Sequence, residues 1–204
     1  MTAPTSWWRA NRIWLAALPV ALAAVTAASS YNLNAWWDTG LHRELASASQ
    51  GDFAEVTESY DDGLGQTSRT LAVRLDELGT VDTYPYPYDD PGPPPDGVDA
   101  VSVRLRWRAE PDQVLRGCTV ALVDDQGRRY EADSAAYPTA CVPENRGGPT
   151  DPHGDVGRGE VPEGEQPRRP SWTTTPVVLV PQGRTITQVL VWWDRPGFVR
   201  LSVS

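Results

Sequence analysis

Lysine is absent from these 204 residues; methionine occurs once, and phenylalanine, cysteine and histidine twice each. So few cysteines and histidines leave little material for a metal centre or a Cys–His nucleophile. The chain has no Gly-x-Ser-x-Gly elbow, no phosphate-binding P-loop and no His-Glu-x-x-His pair, so the corresponding hydrolase, nucleotide-binding and metalloprotease signatures are missing. Positive charge is in deficit. All 18 basic residues are arginines, set against 27 acidic ones, for a formal net charge of −9. A nucleic-acid binder needs a basic footprint, so that partner class is disfavoured. The composition predicts a protein that is not an enzyme and uses no cofactor and no catalytic or structural metal. What is present suffices for a core: 40% of residues are apolar and 22% charged, which argues against wholesale disorder. The length suits one domain with an appendage.

The one long apolar run is Ile13 to Tyr31, and no charge interrupts it. As a helix these residues rise roughly 28 Å, close to the hydrocarbon thickness of a bilayer. Pro19 is tolerated in such a span. Arg9 and Arg12 precede the run and Asp38 is the first charge after it, so residues 1–12 stay cytoplasmic and the remainder lies outside the cell membrane. Trp7, Trp8 and Trp14 at one end and Trp36 and Trp37 at the other form the aromatic belt of a single-pass anchor. The rival is a cleaved signal peptide, with Thr26-Ala27-Ala28 supplying small residues for cleavage; the distal tryptophan pair favours the anchor. No cysteine follows the run, which excludes a lipid anchor there. Residues 32–50 are expected to connect span and domain, with Leu41 and Leu45 spaced for a short helix.

From Gly51 the pattern turns to period two. Ala54, Val56 and Tyr60 share one parity, as do Leu71, Val73 and Leu75, and Val101, Val103, Leu105 and Trp107. Thr119–Val123 and Arg128–Ala132 flank the turn Asp124-Asp125-Gln126-Gly127 as a hairpin. Val177–Val180, Thr185–Trp193 and Phe198–Val203 complete about eight short strands. Such a set predicts a mainly β fold, an antiparallel β-sandwich over residues 51–204. Tyr84–Pro95 is expected to be extended or polyproline-like. Residues 143–170 are dense in Pro, Gly, Glu and Arg and predict a long, solvated, mobile loop whose deletion costs little stability.

The runs Gly97–Val103, Cys118–Tyr130 (with Asp-x-x-Gly-Arg-x-Tyr at Asp124–Tyr130) and Pro176–Gly183 (ending Val-x-Val-Pro-x-Gly) carry a resemblance. The chain from Leu71 to Ser204 resembles the immunoglobulin-like domains of unknown function on bacterial surface lipoproteins and membrane-anchored proteins. With its Trp-flanked anchor, the whole chain is similar to uncharacterised single-pass membrane proteins of high-GC Gram-positive bacteria. The resemblance implies an immunoglobulin-like fold and almost nothing about function.

Candidate functional residues are few. Cys118 and Cys141 lie outside the cytoplasm on either topology and read as a disulfide, against free buried thiols. Arg104, Arg106 and Arg108 share the outward face of one strand; they can hold phosphate or an acidic cell-wall polymer, or pair with carboxylates on neighbouring strands. Trp192 and Trp193 point to opposite faces of their strand, one into the core, the other either a recognition platform or packed under the long loop. Asp151-Pro152-His153-Gly154-Asp155, Asp61-Asp62 and Asp89-Asp90 offer metal-ligand types, with solvated turns as the default. The expectation is an extracytoplasmic binding or scaffolding domain, held to the membrane by its N-terminal helix and accessory to another envelope protein or a cell-wall component. The alternative is a ligand-sensing or metal-binding module.

Overall fold

The computed structural model describes residues 7–86, 90–134, 140–143, 146–152 and 160–204, and within its helix the side chains at 7, 11–26, 28 and 29. The expectations placed on Pro87–Asp89 and His153-Gly154-Asp155 lie outside the described residues, as do the side chains of Trp8, Trp36 and Trp37. Two compact units form, Met1–Gly40 and Leu41–Ser204.

In the first unit, α1 runs Trp7–Thr39 with Pro19 inside it, past both ends of the expected span. From 13 to 25 every residue is apolar, and Ile13, Trp14, Leu18, Val20, Leu22 and Val25 are each more than half exposed. Polar groups near its ends bond back to the helix: Asn11 Nδ2 donates to Trp7 O at 3.0 Å and the Thr26 hydroxyl to Leu22 O at 2.8 Å. Among the described residues no helix is long and apolar enough to cross a membrane.

The second unit is all β. Its strands are β1 Arg43–Ser49, β2 Ala54–Asp61, β3 Gln66–Val81, β4 Val98–Arg108, β5 Thr119–Asp124, β6 Arg129–Glu131, β7 Ser171–Thr174, β8 Val177–Pro181, β9 Ile186–Trp192 and β10 Gly197–Ser202. One sheet has the order β1-β10-β9-β5-β6, the other β2-β3-β4-β7, with β8 also paired to β4. All pairs are antiparallel except β1 with β10. The period-two reading explains the packing. Val56, Val73, Leu75, Val103, Leu105 and Trp107 of one sheet meet Val120, Leu122, Val189, Val191, Val199 and Leu201 of the other in one buried cluster. Two sheets facing each other across such a layer make a β-sandwich.

Two strands differ from expectation. Residues 41–45 do not form a helix. They lead into β1, because its backbone finds a partner in β10 from Arg43↔Gly197 to Ser49↔Ser202. A bulge between Glu44 and Ala46 lets Leu45, Ala46 and Ala48 all pack against the core. The domain therefore begins at Leu41 rather than Gly51. β7 was hidden in the trailing edge of the long loop; four residues are too few to show alternation, and only their pairing with Leu105–Arg108 defines them. The Tyr-Pro segment is folded back, not simply extended. Tyr84 and Gly92 exchange backbone hydrogen bonds of 2.7 and 3.1 Å, and Tyr84 packs with Ala100 and Val177.

Cys118 and Cys141 form a disulfide with Cα atoms 6.1 Å apart and 23 positions between them in sequence. In the chain-entropy account, closing a loop of this length stabilises the fold by about 3.5 kcal/mol. Cys141→Ser should therefore lower the melting temperature by several degrees, and protein prepared without reductant should show no alkylatable thiol in mass spectrometry. Two free thiols in such material would show that the bond does not form.

Candidate functional site

The arginine stripe of β4 faces outward on the β2-β3-β4-β7 sheet, and most of it is already engaged. Arg104 pairs with Glu77 at 2.9 Å and Arg106 with Asp76 at 3.0 Å. Asp76 also receives Arg74 Nε at 2.6 Å. The register shifts between Leu75 and Glu77, so Asp76 is the extra residue of a bulge, and a bulge re-aims the side chain it carries. Here it delivers one carboxylate to two guanidiniums. Arg108 is different. It has no carboxylate partner among the described residues, and its guanidinium lies 3.9 Å from the Phe53 ring centroid. Of the three arginines, Arg108 alone borders a groove of about 820 Å³, whose lining also includes Glu55, Thr57, Thr70, Glu110, Gln113 and Ser171. The groove is lined by residues of β2, β3, β4 and β7, so its hydroxyls are held by the ladder: Thr57 and Thr70 stand opposite in register, with their oxygens 3.1 Å apart. Gln113 Oε1 closes one side by accepting the Thr70 amide at 2.7 Å.

The tryptophans of β9 do not form an exposed platform. Trp192 is 3% exposed, on the outer face of its sheet with Ala121 and Leu190; the guanidiniums of Arg129 and Arg195 lie over its ring at 5.4 and 5.9 Å. Trp193 points into the sandwich, edge-on to Trp107 at 6.3 Å, and donates its Nε1–H to Leu115 O at 2.9 Å. The expectation that the two point to opposite faces holds; a recognition surface at either does not.

Part of residues 143–170 is packed, which corrects the solvated-loop expectation for Gly147–Pro149 and Arg168, while Glu160, Glu163, Gly164, Gln166, Pro167, Arg169 and Pro170 are exposed. Gly147, Gly148 and Pro149 are buried. Arg168 is 2% exposed, donating to Gly147 O at 3.0 Å and Glu110 O at 2.7 Å, with Trp172 under its guanidinium. Burial pushes its pKa down to about 10, Asp112 opposing and Arg116 adding to the shift. Arg116 pairs with Glu165, whose carboxylate also accepts the Gly147 amide. Glycine suits 148, which takes φ 77° and where a Cβ would meet the buried Arg168 guanidinium at 2.8 Å; a Cβ at 147 would displace the Arg116 guanidinium. Low apolar content hid this packing, since the contacts are made by arginine and backbone. Asp151 engages the Tyr60 hydroxyl. Burial first, and Asp151 next, push that phenol to about 12. Among the described residues no group of three His, Cys, Asp or Glu is placed to hold a metal ion.

Two further polar groups lay unread in the sequence. Glu58 shares the parity of Val56 and Tyr60 and is buried with them, 3.5 Å from Arg69 Nε. Burial raises its pKa and Arg69 opposes the rise. Arg69 also pairs with Asp194, and its guanidinium lies 3.8 Å from the Tyr60 ring centroid. Asp124, the first residue of the Asp-x-x-Gly-Arg-x-Tyr motif, accepts the Gln126 and Arg128 amides, Arg128 Nε and the Tyr130 hydroxyl, all at 2.8–3.0 Å, while Gly127 takes φ 76°. Every specified residue of the motif thus serves the hairpin turn. Burial alone would raise the Asp124 pKa; the hydrogen bonds together outweigh it and bring it to about 2.

Two outcomes follow from these contacts. A carboxylate depressed to about 2 on folding contributes stability that is present above its unfolded pKa, about 3.9, and is lost as pH falls from there toward 2. The gap in melting temperature between wild type and Asp124→Asn should therefore narrow as pH drops from 5 to 2; a constant gap would show that the ionised form matters little. Deleting 146–166 should destabilise the fold by about 1.5–3 kcal/mol, the usual scale for charged hydrogen bonds. An unchanged urea midpoint would instead mark the loop as energetically idle.

No protein-family model and no curated protein matches the chain. Among solved structures it is similar to a conserved hypothetical protein from Bacillus anthracis, at 15% identity and TM-score 0.36, covering 69% of this chain and 89% of that one. It is also similar to an uncharacterised beta-sandwich protein from Clostridium difficile 630, at 9% identity and TM-score 0.36, covering 80% of this chain and 95% of that one.

Proposed function

We propose that the chain is a membrane-anchored, extracytoplasmic binding or scaffolding protein, with an immunoglobulin-like sandwich that offers the outer face of its β2-β3-β4-β7 sheet to another envelope component. The observation that carries this reading is α1, whose large apolar side chains are exposed while no polar residue interrupts 13–25. A helix apolar all round belongs in a core or in lipid. Ile13–Tyr31 extends that apolar character to a bilayer's thickness, and Arg9 and Arg12 set its N-terminus inside. The Cys118–Cys141 bond suits an oxidising compartment. The immunoglobulin-like description is supported by two sheets of short antiparallel strands and by a buried tryptophan beside the disulfide: Trp172 Nε1 donates to Cys141 O at 2.8 Å. The binding face is supported by the groove beside Arg108, shaped and polar where Arg104 and Arg106 are already neutralised.

The test is topology together with proximity. A periplasmic-type reporter fused after Ser204 should be active outside the cytoplasm, and membrane-extracted protein should retain Trp7. A photo-crosslinker at Thr57, in the groove, should capture one envelope component in native membranes, while the same group at Arg129, on the other sheet, should not. A mature N-terminus near Ser29, or equal capture from both faces, would overturn the reading.

A further inference from the structure

We propose that the start of β7 carries a binding site for a compact phosphate-type oxyanion, formed by Arg146, Arg169 and Ser171. It rests on the reading of this face as the binding face and is independent of the anchor.

The argument begins with which arginines are left over. Arg43, Arg69, Arg74, Arg104, Arg106, Arg116, Arg128, Arg129, Arg195 and Arg200 each have a carboxylate partner. Among the described residues of the sandwich, those without one are Arg108, Arg146, Arg168, Arg169 and Arg184. In a chain of net charge −9, unpaired guanidiniums are expected to be scattered, since acids outnumber them. Two of these five share one cavity. Arg146, Arg169 and Ser171 line one cavity of about 330 Å³ with Pro143 and Trp172, and no carboxylate lines it among the described residues. Arg108 stands opposite Ser171 in register and lines the larger groove, which also reaches Ser171. Arg168 is buried next to them over the Trp172 ring, and its Nε has no hydrogen-bond partner.

The chemistry of this group is specific. Guanidinium forks offer paired N–H donors that match a tetrahedral oxyanion, and the Ser171 hydroxyl adds a donor on the strand between them. Trp172 and Pro143 give the cavity an apolar wall against which the two guanidiniums are set. Size and field select among anions. The chain's net charge of −9 disfavours a long polyanion, and a cavity of about 330 Å³ takes a compact ligand, a phosphate group free or on a lipid headgroup.

The full chain in detergent would be titrated calorimetrically with inorganic phosphate and tripolyphosphate at fixed ionic strength, and co-sedimented with phosphatidic-acid or phosphatidylcholine vesicles after reconstitution of excess lipid. Saturable binding of the free phosphates, or selective binding to phosphatidic acid alone, supports the site and assigns the source. Arg169→Ala and Arg146→Glu should each weaken binding about tenfold or more, the scale of one charge-assisted hydrogen bond. Arg104→Ala, whose side chain is committed to Glu77, should leave it unchanged. Melting temperatures of the variants near wild type would confirm that they fold; if one does not, the other carries the comparison. Absence of binding in every arm, or equal weakening by Arg104→Ala, overturns the oxyanion site. Capture of a partner from Thr57 in that same material would show that the broader binding role survives without it.

Discussion

Three indoles tie the sandwich together. Trp107 on β4 stacks on Trp172 of β7, with ring centroids 6.3 Å apart and planes 7° from parallel, and meets Trp193 of the opposite sheet edge-on. Each indole N–H has an acceptor: Thr174 Oγ1 for Trp107, Cys141 O for Trp172 and Leu115 O for Trp193. A buried tryptophan brings a large apolar area and one donor that must be satisfied. Those acceptors lie on β7, at the disulfide and in the 109–118 connection, so packing the indoles fixes segments that carry little apolar material of their own. The four-residue strand β7 is in place because Trp172 is, and with it the residues that border the outer groove.

The polar interior follows the same economy of elements. Arg168 lies over the other face of the Trp172 region and is held by two backbone carbonyls, which draws the Gly147–Pro149 segment inward. Arg69 joins Glu58 of β2 to Asp194 in the β9–β10 turn and so links the sheets at their edge. Buried ion pairs of this kind are weak evidence for stability, because desolvation offsets their attraction; Glu58, with its raised pKa, shows that offset directly. Their clearer effect is on geometry. They specify which turn meets which strand.

The same accounting separates surface charge that is engaged from charge that is free. On β4 the alternation placed Arg104, Arg106 and Arg108 on one face, yet a single bulge at Asp76 divides them. Two are neutralised by β3, while the third borders a groove with hydroxyl, amide and carboxylate neighbours. A stripe that reads as uniform along the strand is therefore not uniform across the sheet.

Most of the β architecture was legible because burial on one side of a strand imposes period two, and Val56, Leu71–Leu75, Val103–Trp107 and Val189–Val191 obey it. The hairpin at Asp124 was legible because its turn chemistry is local, and the disulfide because two cysteines leave one pairing. The apolar run of α1 is likewise a property of consecutive residues. What the tertiary structure decided was every contact between distant segments: β1 paired parallel to β10 instead of forming a helical turn, β7 defined by its neighbour β4, the Gly-rich loop drawn in by Arg168, Trp192 covered by two arginines, and Arg146 brought to one cavity with Arg169 and Ser171. None of these leaves a periodic trace, since each depends on contacts between separate segments, as Arg168 with Gly147 and Arg43 with Gly197 show, and long-range pairing is set by packing and not by local preference.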